Sequence, residues 1–396
     1  MAFIQVCRSF LIKKRAVLFN VVLRKKDLCA IFIKWYFFPE FHNRGGSMRE
    51  TKNLPAWRIA GFMLKVLISA AIIGCIIFFH RDELIAACRK FSAPILIFAL
   101  PAALIPLLTG AYRWQQLAAV AGLQLRFREA FSLTMQGNFF SLVIPAGAVG
   151  GDLVKISMVS RRSGSGRKID GALTILMDRL IGMLALFALG LAVLPCALPL
   201  LRKLFADKDM GVTATLVFAG VCLAGIGGGA AVFAHRKILQ LPLLNKIFTF
   251  ADNKCTGAFS RMCAAIDLYT GAPRTVVLQL LNSLLLIHLV PVAVMALTFY
   301  GFGLPILWQS LLPAVVLGNI AGLIPLFPGG IGGRDMTVIA LLTAGGTPPG
   351  EAAAAQLCCT VITLFFTLLL GGGTFISDGG QPLNYGKKGE FQRHGK

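Results

Sequence analysis

The chain has 396 residues, 56% of them hydrophobic and only 14% charged, with a mean hydropathy of +0.75. That is more apolar surface than one soluble core can hide, so the composition argues against a water-soluble domain and for a polytopic membrane protein. The 39 Lys and Arg against 17 Asp and Glu give a net charge of +22, but these cations punctuate apolar runs as cytoplasmic loops do, and no nucleic-acid partner is expected.

The first 47 residues carry nine Lys or Arg and two acids. Lys13-Lys14-Arg15 and Arg24-Lys25-Lys26 cut their apolar stretches into pieces too short to cross about 30 Å of hydrocarbon. The segment reads either as a basic amphipathic extension on an anionic membrane or as a mis-called start. Arg44-Gly45-Gly46 is what a purine-rich ribosome-binding site spells in frame ahead of Met48. The second reading is preferred, which leaves residues 48–376 as the membrane domain and 377–396 as a basic cytoplasmic tail.

Apolar runs long enough to span, at about 1.5 Å per residue, are expected at 59–79, 93–112, 170–194, 211–234, 275–298 and 356–376. Arg49, Lys52 and Arg58 place the start of the first in the cytoplasm. Between the second and third spans lies 129–150, a shorter stretch broken by Pro145, Gly147, Gly150 and Gly151, with Arg126 and Arg128 on one flank and Arg161, Arg162, Arg167 and Lys168 on the other. Both flanks want the cytoplasm, so this stretch is expected to enter and leave on one side as a re-entrant hairpin. By the same reckoning 195–210 lies outside, 241–270 is a cytoplasmic interfacial helix with an apolar stripe, and 306–346 is a second hairpin of opposite sense.

The two hairpins share a pattern: NFFSLVIPAGAVGGD from Asn138 to Asp152 and NIAGLIPLFPGGIGGRD from Asn319 to Asp335. Each sits between two spans, within 93–194 and 275–376. The expected fold is therefore an all-α polytopic integral membrane protein with inverted-topology repeats and two re-entrant helical hairpins, an arrangement that places a binding site near the membrane midplane.

Charged residues inside apolar runs are the candidates for that site, because hydrocarbon offers them no partner. Asp178 and Arg179 lie about 12–14 Å into the third long helix, and Arg113, Lys155, Arg334 and Asp335 are their candidate partners. Asp152 and Asp335 each follow a Gly-rich turn and are expected to cap helix N-termini. Lys155, Arg179 and Arg334 would then be left for an anionic headgroup, with Arg179 and Arg334 gripping its phosphate in one central cavity. Asn138, Gln136 and Asn319 would orient its polar part, and His288 is expected to be a packing residue. A purely structural ion-pair network explains the same charges equally well. With no CxxC, HExxH, GxxxxGK[ST] or GxSxG pattern present, no metal, cofactor or enzymatic activity is expected.

Arg113-Trp114, Asn138 with Pro145 and Gly150-Gly151-Asp152, Asp178-Arg179, and Pro328-Gly329-Gly330-Ile331-Gly332 occur in this order over residues 59–376. In these residues the chain resembles the flippase-like membrane proteins related to the transmembrane region of lysylphosphatidylglycerol synthase. The resemblance implies translocation of a lipid or lipid-linked polar headgroup across a bacterial cytoplasmic membrane, with membrane lipids as partners. Asp335 stands where that family usually has Glu. The 20 residues after position 376 leave no room for the synthase's aminoacyl-transfer domain, so synthase activity is not expected. A permease for a small anionic solute, or a scaffold for a lipid- or glycan-modifying enzyme, would fit the same residues.

Overall fold

The computed structural model describes residues 81–143, 148–162, 168–205, 208–242, 258–324 and 330–377, with Gly74, Phe78, Lys246, Phe248, Thr249 and Asp252 as isolated positions. The N-terminal extension, the Met48 start, nearly all of the first expected span, the hairpin tips at Pro145 and Pro328 and the basic tail lie outside these residues.

Every regular element among the described residues is helical. In chain order the main helices are α1 (Arg81–Lys90), α2 (Leu96–Val120), α3 (Phe127–Val143), α4 (Ala148–Arg162), α5 (Lys168–Leu204), α6 (Lys208–Phe233), α7 (Ala258–Thr270), α8 (Pro273–Asn282), α9 (Val290–Gly301), α10 (Trp308–Ala321), α11 (Gly333–Ala344) and α12 (Pro349–Phe366), with short turns of helix at Ala93–Ile95, His235–Ile238 and Gly373–Ser377. A π-helical stretch, Ser283–Leu289, joins α8 to α9 without a break, and another, Thr367–Gly372, extends α12. Five continuous helices are long and apolar enough to cross a membrane: Ala93–Val120, Gly171–Leu204, Asp209–Phe233, Pro273–Gly301 and Pro349–Phe375. They match five of the six expected spans, the sixth falling outside the described residues. Large apolar side chains stay exposed along them, among them Phe98, Leu216, Val217, Leu285, Val361 and Leu368. Such a surface is stable only against lipid, and the protein is a multi-pass membrane protein.

The third long helix is longer than the expected 170–194: α5 runs on through Pro195 and Pro199 to Leu204, and α6 begins at Lys208. Val193, Leu194, Ala197, Leu200 and Leu201 are all buried in the main core, so packing on one face carries the helix past two residues that cost it backbone hydrogen bonds. Of the helix expected over 241–270, the described end is α7, which packs on the protein: Ile266 and Tyr269 are buried with Leu117, Met177 and Ile181, and the Tyr269 hydroxyl donates to the Leu117 carbonyl at 3.1 Å. Just beyond α6, in the short helix His235–Ile238, Arg236 donates to Asp267 of α7 at 2.7 Å. That hydrogen bond holds the Asp267 carboxyl below the usual carboxylate range, so the link between the two helices stays ionised at neutral pH.

The order long helix, two short helices, long helix occurs twice, as α2 to α5 and as α8 to α12. Within the first short pair, α3 and α4 approach so closely at Gly151 that a β-carbon there would run into the Gly137 carbonyl and the Ser141 hydroxyl. The helix α10 is buried nearly all round, with Leu311, Ala314, Val315, Val316, Leu317 and Ile320 in the main core, as its uniformly apolar sequence requires. The two halves also interlock. Ile320 of α10 lies against Gly190 of α5, while Phe139 of α3 lies against Gly371 beyond α12. Each short pair thus packs its first helix on the last long helix of the other half.

Candidate functional site

Five of the nine sequence-derived site residues come together where α2, α4 and α5 meet. Arg113, on α2, is buried and donates through Nε to Asp178 of α5 at 2.8 Å and through Nη1 to Ser283 in the first π-helical stretch at 2.9 Å. Ser283 passes the bond on to the Gln279 carbonyl at 2.7 Å. A guanidinium and a carboxylate that leave water together need their donors and acceptors satisfied, and this chain of bonds engages two of the guanidinium nitrogens across the two halves. Nearby, His288 of the same stretch lies 3.0 Å from the Gly182 carbonyl of α5 through Nε2, the packing role expected of it.

Arg179, the next residue on α5, points elsewhere, as neighbours on a helix must. Its Nε and Nη2 grip both oxygens of Asp152 on α4 at 2.6–3.1 Å. Asp152 sits inside α4 rather than at its start, so the expected capping role is replaced by this ion pair. Lys155, one turn further along α4, is 5% exposed. Its Nζ lies 3.6 Å from the centre of the Trp114 ring, and the Trp114 N–H is itself given to Thr174 at 3.2 Å. The charges of Asp178, Arg179, Asp152 and Arg113 are all near enough to act on Lys155.

The second group forms at the start of α11. Gly332 has φ +98, a backbone that favours glycine, and this turn aims its N–H at Asp335 Oδ2 at 2.8 Å. Asp335 therefore caps α11 as expected. Its other oxygen accepts from Gln356 Nε2 at 2.6 Å and Thr360 Oγ at 2.7 Å, both on α12. Arg334 reaches Asp335 only at 3.5 Å and donates to Thr360 at 3.2 Å, both through Nη2, and among the described residues its buried Nε has no partner. Gln356 and Thr360 escaped the sequence reading; the available signal was two polar residues four apart in an otherwise apolar span.

Arg334, Asn319 and Gln356 line a cavity of about 190 Å³ between α2, α9, α10, α11 and α12. Its remaining walls are largely apolar, including Pro106, Leu107, Pro291, Val294, Val338 and Phe366. Arg179 is not among the lining residues, so of the two arginines expected in one cavity only Arg334 is there. Asn138 sits half-buried on α3, and Gln136 of the same helix donates to Ser132 at 3.1 Å.

Both carboxylates on the short helices thus engage the long helix that follows in their own half, Asp152 through Arg179 and Asp335 through Gln356 and Thr360. A search among curated proteins finds no match to the chain. The model of one family, described as the lysylphosphatidylglycerol synthase TM region, matches residues 62–371, a range that holds both polar groups and the cavity. With well over half of its length matched, the chain belongs to the lysylphosphatidylglycerol synthase transmembrane-region family.

Proposed function

We propose that this protein is a non-enzymatic translocator of a phospholipid or lipid-linked anionic headgroup between the leaflets of a bacterial cytoplasmic membrane. The observation that carries the reading is Arg334: a guanidinium on the wall of a mostly apolar cavity, with one buried N–H that has no partner among the described residues while its neighbouring carboxylate is occupied by three better-placed donors. A permanently charged planar donor in apolar surroundings suits an oxyanion attached to hydrocarbon. Membership of a lipid-related membrane family supports the same direction.

In this reading α3–α4 and α10–α11 are re-entrant hairpins belonging to two inverted repeats, and both termini are cytoplasmic. The reciprocal packing of α10 on α5 and α3 on the end of α12 supports it, since two copies related by a pseudo-two-fold axis make the same contact twice. The decisive test is a leaflet assay on proteoliposomes with fluorescent phosphatidylglycerol in one arm and fluorescent phosphatidylcholine in the other. Accelerated exchange of the anionic lipid is expected. Uptake of a free anion with no lipid exchange would instead indicate a permease. Loss of neither function on removing the charges of both polar groups would indicate a scaffold.

A further inference from the structure

The group at α2, α4 and α5 has three cations, Arg113, Lys155 and Arg179, and two carboxylates, Asp152 and Asp178. Both carboxylates are taken, Asp178 by Arg113 and Asp152 by Arg179. Lys155 is the cation left over: among the described residues it makes no ion pair and is buried over the face of Trp114, a weaker partner for an ammonium than a carboxylate, with Asp178 and Asp152 acting on it only from a distance. Asp152 lies three residues before it on α4, on the same helical face. Asp152 and Lys155 are therefore spaced as helix neighbours that can pair.

The outer pair is the accessible one. The side chain of Arg179 is 45% exposed and that of Asp152 20%, about 12 Å along a span that begins at Gly171. Hydrocarbon cannot solvate an exposed ion pair at that depth, so water or a polar headgroup must reach it. The donors that Asp152 occupies, Nε and Nη2, form the fork that binds an oxyanion with two parallel hydrogen bonds.

We infer that Arg179 is a second oxyanion site, opened by transfer of Asp152 from Arg179 to Lys155. An incoming phosphate or carboxylate takes the Arg179 fork, Asp152 takes Lys155, and Lys155 leaves the indole face. Before the exchange one buried cation lacks an anion; afterwards each of the three has one, so a single negative charge completes the group. The inference deepens the translocation reading by giving the headgroup a station separate from Arg334. It is read by binding rather than by transport. Binding at Arg179 without lipid exchange would count against translocation alone, and lipid exchange without binding there would count against this site alone.

The test uses the full chain in phosphatidylcholine nanodiscs, with Trp35, Trp57 and Trp308 replaced by Phe so that Trp114 is the only reporter. Glycerol 1-phosphate and dioctanoylphosphatidylglycerol are titrated separately, following Trp114 emission and the heat of binding. A saturable emission change is expected as Lys155 departs. A response to both probes assigns recognition to the headgroup, and a response to the lipid alone makes the chains part of it. By calorimetry, Lys155→Met should weaken binding about tenfold and Asp152→Asn, which frees the fork, should tighten it about tenfold. Adding Lys155→Met to Asp152→Asn should change nothing further, because the exchange no longer has a carboxylate to move. A tighter-binding Asp152→Asn protein cannot be a misfolded one. No saturable change with either probe, no tightening in Asp152→Asn, or simple additivity of the two substitutions would overturn the exchange.

Discussion

Arg113 and Asp178 each keep only 9% of their side-chain surface exposed, so neither can fall back on solvent if the other is lost. Arg113→Met should therefore destabilise the protein by about 3–5 kcal/mol through the carboxylate left behind, whereas Arg113→Met combined with Asp178→Leu should recover much of that loss. Thermal unfolding in detergent compares the three, and a double variant no better than the single one would show that the pair does more than neutralise itself. Arg334 stands in the opposite situation, with donor capacity its protein partners do not use. Arg334→Lys, which keeps the charge but loses the planar fork, should melt normally and transport several-fold more slowly; Arg334→Ala should nearly abolish lipid exchange. Full transport by a normally melting Arg334→Lys protein would remove the phosphate-binding role. These residues stood out in the sequence because charges in apolar runs are rare. Their pairing did not: Asp152 looked like a helix cap until α4 was seen to begin four residues before it.

Among the elements, the α3–α4 pair depends on one close approach. Gly151→Ala would push a methyl group into the Gly137 carbonyl and Ser141, and α4 must move away to admit it, carrying Asp152 and Lys155 along. A loss of about 1–3 kcal/mol in stability is expected, with weaker anion binding at Arg179 read in the same samples. Topology is tested by single cysteines in a cysteine-free background. Phe127→Cys, at the start of α3, and Ser165→Cys, beyond α4, should both react with an impermeant maleimide from the cytoplasmic side; reaction from opposite sides would make the pair an ordinary span. The long helices were legible because an apolar run of sufficient length has few alternatives in a bilayer. Their ends were less so. The apolar run marks a span over 170–194, yet α5 continues through Pro195 and Pro199 to Leu204, since the burial of Val193, Ala197, Leu200 and Leu201 outweighs two lost backbone bonds.

At the scale of the whole molecule, the sequence by itself determined the solvent in which this protein folds, five of its long helices, the two short pairs between them and most of the residues that carry charge into the membrane. Each of these follows from local composition: hydropathy over about twenty residues, glycine and proline at turns, and the cost of an ion in hydrocarbon. Only the tertiary structure decided which charges meet. Arg113 and Asp178 are 65 residues apart and Arg113 and Ser283 are 170 apart, and no periodicity relates positions so distant. Nor could the sequence separate Arg179 from Arg334, since both lie beside an aspartate within or next to an apolar run. The fold sends one to Asp152 and the other to a cavity wall. The reason is geometric: residue spacing fixes the face of a helix on which a side chain lies, while the helix that covers that face is chosen by how all the apolar faces pack at once.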